Sequence, residues 1–139
     1  MDDLVQWLRA QLDDDERTAR AATGEEWDAI APSQPYVIFD VAAHKANKTL
    51  ETVGRVAAVE RAEDRAHIAR HDPARVLREI DAKRQLFAIH RSEPNPDWDR
   101  PGVDGRSCTC CITQYPCPTL RLLALPYADR PGYREEWRP

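Results

Sequence analysis

All four cysteines of this 139-residue chain fall within ten residues, CTCCITQYPC, from Cys108 to Cys117. Clustered thiols can form disulfides, carry out thiol–disulfide exchange, or ligate a soft metal ion. Cys108 and Cys111 make a C-x-x-C pair, the spacing at which one tight turn points two thiolates at a single ion. Cys117 follows six residues later, just ahead of a helix start. A structural zinc site takes four ligands in a tetrahedron, mostly thiolates with or without imidazole. Three suitably spaced cysteines therefore leave one vertex, and His90 is the best candidate for it. His90 ends the long central helix, and 17 residues lead from it back to Cys108. The expected site is Cys₃His: His90, Cys108, Cys111 and Cys117. Cys110 leaves an alternative open, since it could replace Cys108 or Cys111, or complete a Cys₄ site without His90. A ligand directly beside its partner is geometrically awkward, so the spacing prefers Cys108 and Cys111, with Cys110 a spare, oxidisable thiol.

Competing chemistry is thinly supported. Thioredoxin-like sites sit at a strand-to-helix junction in a βαβ pattern, and no such pattern occurs here. The opening MDDLVQWLRAQLDDDE is acidic and amphipathic, unlike a signal peptide, and no segment approaches the ~20 apolar residues of a membrane span. The expectation is a cytoplasmic protein, and in a reducing compartment clustered cysteines favour metal over disulfides. His67 and His71 stand four apart in HIARH, but Pro73 breaks the helix after them, and His67 reads as a half-buried packing residue. There is no G-x-S-x-G, no phosphate-cradling glycine loop and no H-E-x-x-H. A four-ligand zinc site also leaves no position for a reactive water. The chain therefore reads as non-catalytic.

Net charge is −4, unevenly spread: residues 1–30 carry nine acids and three bases, residues 61–91 eight bases and five acids. Ordinary solvated helix faces account for this. The alternative is nucleic-acid binding by the basic helices through Arg65, Arg70, Arg75, Arg78 and Arg84, although the overall sign gives no general attraction to phosphate.

The elements that must position the site follow from the apolar pattern. Leu4, Leu8 and Leu12 recur every four residues, so residues 3–22 form an amphipathic helix. Tyr36–Val41 and Thr52–Val59 read as two strands of a hairpin across a polar link, His44–Lys48. Trp27 belongs to a preceding strand or packs beneath the sheet. Residues 60–70 make a short helix. Asp72–Pro73 then opens the long one: an Asp N-cap accepts an orphan N–H, and proline loses nothing at the first helical position. Val76, Leu77, Ile80 and Phe87 line that helix to about His90. Residues 92–107 read as a loop, and Pro118 starts a last short helix that Pro126 stops. The tail carries Tyr127, Tyr133 and Trp137 among charges on the surface.

Two resemblances add to this reading. HIARHDPARVL, the Cys-rich link and the ending CPTLRLLALPYADRPGYREEWRP resemble a family of small uncharacterised actinobacterial and actinophage proteins over most of the chain. That family carries C-x-x-C before its P-C-P-T-L motif, which implies Cys108, Cys111 and Cys117 as ligands. More distantly, the Gly–x–Trp-like element, the hairpin and AHIARHDPARV (Ala66–Val76) resemble the Ead-type early proteins of lambdoid phages. An aromatic residue stands there where His67 stands here, which implies packing at that position. The resemblances imply a phage or mobile-element setting and no particular activity.

The expected protein is thus a single α+β domain over residues 1–139. It has an N-terminal helix, a small antiparallel sheet, a long central helix and a zinc-stapled C-terminal loop, with residues 86–125 as the metal-stabilised subregion. Its expected function is a zinc-binding, non-catalytic accessory module that captures a protein partner through exposed Trp98, Tyr133 and Trp137. Nucleic-acid binding and small-molecule sequestration are the alternatives, and no membrane association is expected.

Overall fold

The computed structural model describes residues 3–29, 36–46, 54–98 and 105–139. Helix α1 (Asp3–Ala21) is followed by β1 (Trp27–Asp28), β2 (Val37–Asp40), α2 (Val41–Ala46), β3 (Arg55–Ala58), α3 (Ala62–Arg70) and α4 (Pro73–Ile89). Two short strands, β4 (Ser92–Pro94) and β5 (Arg106–Cys108), and α5 (Pro118–Ala124) complete it, with single 3₁₀ turns at Pro96–Trp98, Leu125–Tyr127 and Glu135–Trp137. The protein is mixed helix and antiparallel sheet, the α+β class that the apolar pattern predicts.

The chain groups into two compact units, one of residues 15–80 and one of residues 1–14 with 81–139. In the first, β1, β2 and β3 form an antiparallel sheet in that order. Trp27 pairs with Asp40, and Val37 with Ala58, with an irregularity after Ile38. The run Val37–Phe39 is buried on both faces, as an unbroken apolar run requires. The predicted two strands are present, but the polar link between them begins with α2 rather than a simple turn. Asp40 explains this: its carboxylate accepts the Ala42 N–H at 3.2 Å, a capping bond at a helix start. Residues 47–53, which include the end of the expected link and Thr52 and Val53 of the expected second strand, lie outside the described residues. Gly54 (φ +77°) needs to be glycine, because an added Cβ would stand 2.7 Å from the Ala43 methyl.

The start of α4 forms as its sequence dictates. Asp72 Oδ1 accepts the Arg75 N–H at 2.8 Å, and Pro73 follows as the first helical residue. Arg65 is buried, and its guanidinium donates to the Val59 and Glu60 carbonyls, both at 2.6 Å. It therefore tethers the segment after β3 to α3 and is withdrawn from any surface it was expected to supply. His67 differs from the half-buried reading. It is exposed, with its ring 4.4 Å from that of His71. The reason is that α3 buries little besides Arg65.

In the second unit Leu4, Leu8 and Leu12 are fully buried, as are Leu120 and Ala124 of α5. The tail is exposed along most of residues 131–139, but its aromatic side chains are not. Trp137 is 6 % accessible, and its ring stands 5.3 Å from that of Trp7 and 5.8 Å from Tyr133. The Trp7 indole N–H donates to the Pro131 carbonyl at 3.0 Å, and Gly132 (φ +86°) lets the chain pass this ring, since a Cβ there would be 2.9 Å from Nε1. Trp137 is accordingly withdrawn as an exposed partner anchor: the indole of Trp7 in the same unit offers a better place for its apolar area. Tyr133 is half-buried. The side chain of Trp98 lies outside the described residues.

Candidate metal centre

The chain around the cysteines is a sequence of short returns to one point. Helix α4 ends at Ile89, so His90 stands at its exit, with its backbone N–H still donated to the Leu86 carbonyl at 2.9 Å. Strand β4 starts two residues later and pairs with β5, placing Cys108 opposite Ser92. This pairing replaces the plain loop expected over 92–107, and residues 99–104 lie outside the described residues. The turn after Cys108 closes with the Ile112 N–H on the Cys108 carbonyl at 3.0 Å, and the Cys108 N–H on the Thr113 carbonyl at 2.9 Å. The Tyr115 N–H reaches the Arg106 carbonyl at 3.1 Å. Cys117 then takes the N-cap position of α5, with Pro118 in the first turn.

The result brings together the donor atoms of His90, Cys108, Cys111 and Cys117, all within 4.8 Å of one another. His90 Nδ1 lies 3.3 Å from Cys111 Sγ, 3.4 Å from Cys108 Sγ and 3.5 Å from Cys117 Sγ. One ring N–H could serve only one of those sulfurs, so hydrogen bonding does not account for three at equal range. Bond lengths of about 2.0–2.1 Å to nitrogen and 2.3 Å to sulfur in a tetrahedron place those two atoms about 3.5 Å apart. The donors therefore fit a four-coordinate ion, and the residues could hold a metal. Cys108 and Cys117 are fully buried, His90 is 7 % accessible, and Cys111 is partly exposed. Cys110 is exposed and, among the described residues, lies outside the cluster.

The thiols are electrostatically uneven. Burial pushes the Cys108 thiol up, but the Cys111 and Cys110 amides, with His90 and Cys117, outweigh it and bring it to about 7. At Cys117 burial prevails, the Leu120 amide offsets only part of it, and the nearby Cys108 adds to it, so the thiol is pushed up to about 11. Cys111 is also raised, by burial first and by Cys108. Three sulfurs at one point resist being anionic together. A dication supplies the missing charge, which is why such donor sets and metals are matched.

Thr109 was not singled out by sequence reasoning, yet it joins both ligand segments. Its hydroxyl donates to the Ile89 carbonyl at 2.9 Å and accepts the Arg91 N–H at 3.1 Å, while its own N–H donates to the Arg91 carbonyl at 2.9 Å. The available signal was a β-branched hydroxyl residue inside the C-x-x-C pair. Ile112, one residue past Cys111, has φ +53° and is 72 % exposed. A β-branched residue is strained there.

Two residues of the alternative nucleic-acid reading are in contact, the Arg75 guanidinium donating to the Arg70 carbonyl at 3.1 Å. Arg70, Arg75 and Arg78 belong to the unit of residues 15–80, and Arg84 to the other. Arg75 pairs with Glu79 and Arg84 with Asp13, each at 2.7 Å. An open concavity of about 470 Å³ lies beside Gly24, Val41 and Ala42, with the carboxylates of Glu25, Glu26 and Asp40 and the ammonium of Lys45 on its rim. No helix of the described residues is long and apolar enough to cross a membrane.

A donor set of three thiols and one imidazole on an α+β scaffold defines a small protein with a candidate metal centre. The chain belongs to a family of unknown function, DUF6221, whose model matches residues 1–139. No curated protein matches the chain, and no solved structure does.

Proposed function

We propose that His90, Cys108, Cys111 and Cys117 hold one zinc ion in a structural, non-catalytic centre. On this reading the protein is an accessory module of phage or mobile-element type that binds a protein partner in the cytoplasm. The observation that carries the metal reading is the approach of three sulfurs to one imidazole nitrogen at 3.3, 3.4 and 3.5 Å. Soft thiolates with imidazole in a tetrahedron select zinc over magnesium, calcium or manganese. Four protein ligands fill its coordination, so the ion staples the end of α4 to the start of α5, the part of residues 86–125 that holds the site. Structural zinc contributes directly to folding free energy. The accessory-module reading rests on the resemblance to small actinophage and phage early proteins described above, together with the closed donor set.

Elemental analysis of protein purified without added metal tests the centre, and about one zinc per chain is expected. Removing it with a chelator is expected to collapse amide signals of residues 86–125 in a ¹H–¹⁵N spectrum. Metal-free protein whose spectrum a chelator leaves unmoved would overturn the reading. The partner role is tested by capture from host lysate with zinc-loaded and zinc-stripped protein, and a failure to enrich any protein with the loaded form would count against it.

A further inference from the structure

We propose that Thr109 is the positioning residue of the metal centre: its hydroxyl sets the backbone on both sides of His90 and thereby the metal affinity. This rests on the metal reading above. His90 lies between Ile89 and Arg91, and Thr109 is bonded to both of those neighbours. Ile89 is the last residue of α4, so its carbonyl is among those a helix leaves without an internal acceptor role. The Thr109 hydroxyl donates to that carbonyl at 2.9 Å. In the same place it accepts the Arg91 N–H at 3.1 Å, the first amide beyond the ligand. The Thr109 N–H adds a third bond to the Arg91 carbonyl at 2.9 Å. One side chain, adjacent to the ligand Cys108, therefore fixes where the imidazole of a ligand 19 positions earlier can stand.

This matters because ligand atoms must be held within about 0.5 Å of productive geometry by groups that are themselves fixed. Metal-ligating histidines are usually oriented through a bond to the ring nitrogen not on the metal. Here the same task is assigned to the backbone flanking the ring. Thr113, four residues away, supplies an internal comparison, because its buried hydroxyl has no hydrogen-bond partner among the described residues. Two threonines of one loop thus differ in the single feature at issue.

Thr109→Val keeps the branched shape and the backbone N–H bond but removes the hydroxyl, while Thr109→Ser keeps the hydroxyl. Zinc competition against a chromophoric chelator is expected to show affinity lowered about tenfold to a hundredfold in Thr109→Val, with Thr109→Ser and Thr113→Val within about threefold of the parent. With saturating cobalt(II), the ligand-field bands of Thr109→Val are expected to shift, since His90 no longer stands in place, whereas those of Thr113→Val stay put. Unchanged affinity and bands in Thr109→Val would overturn the positioning role while leaving the zinc centre standing. If the parent binds neither zinc nor cobalt, it is the metal reading that fails. Should Thr109→Val not fold, Thr109→Ser decides alone: a tenfold loss there overturns the proposal, and parent-like binding supports it.

Discussion

His90→Ala is the perturbation that reaches furthest into the centre, because the imidazole nitrogen is the atom all three sulfurs surround. Structural zinc in small domains is worth about 10–16 kcal/mol at neutral pH, and four ligands share it, giving roughly 2.5–4 kcal/mol each. Water can enter the vacated vertex and recover part of that, so the expected net loss is about 3 kcal/mol. At about 1.4 kcal/mol per decade this is about a hundredfold in zinc affinity. The chain brings His90 to the site at the exit of α4, 7 % accessible, so the histidine makes no compensating surface contact. Cys110→Ser is the matched control, since Cys110 is exposed and outside the donor set. Chelator competition on both variants is the assay. Affinity unchanged in His90→Ala, or lowered about a hundredfold in Cys110→Ser, would show that a Cys₄ arrangement holds the ion, and the geometry argued from Nδ1 would be refuted.

Other outcomes follow from individual residues. In zinc-loaded protein, iodoacetamide should modify Cys110 within minutes and spare the other three until a chelator is added, as read by intact-mass spectrometry. Modification of Cys117 at the same rate as Cys110 would contradict its burial. Trp137→Ala should cost about 3–5 kcal/mol in urea unfolding, as for other large aromatics removed from a packed site, and a loss below about 1 kcal/mol would place the tail outside the fold. Ile112→Gly should stabilise the protein by up to about 1 kcal/mol, because relief of a left-handed conformation, roughly 1–2 kcal/mol, exceeds the entropic cost of glycine. A destabilised variant would assign the Ile112 side chain a packing role that its 72 % exposure does not suggest.

Much of the site was legible because its signals are local or compositional. C-x-x-C and the later P-C-P name three residues by spacing, and Asp72–Pro73 marks the start of the helix whose other end delivers His90. The Leu4, Leu8 and Leu12 repeat likewise fixed α1 to within a residue at each end. What escaped depended on partners far away in sequence. The β4–β5 pairing joins Ser92 to Cys108 across a stretch rich in proline, glycine and aspartate, residues that individually argue for loop. Thr109 bonds residues 18 and 20 positions earlier, which no periodicity reveals. Trp137 looked like a surface aromatic among charges, yet its partner is Trp7, at the other end of the chain. The helix α2 was missed because Val41 reads as the end of a strand and His44 and Lys45 as the start of a polar link, and only the Asp40 cap discloses it.

The β4–β5 hairpin has one more consequence, for how this chain tolerates change in length. The Asn95 N–H on the Gly105 carbonyl at 2.9 Å closes the ladder ahead of its connection, and the sulfur–imidazole cluster fastens the opposite end. Segments inserted between those two residues enlarge a ring already shut on its inner side. Ring-closure entropy grows only logarithmically, about 0.6 kcal/mol for each doubling. A peptide tag or fluorophore-binding sequence placed there should therefore leave the ion where it is, making that connection the natural place to attach a probe.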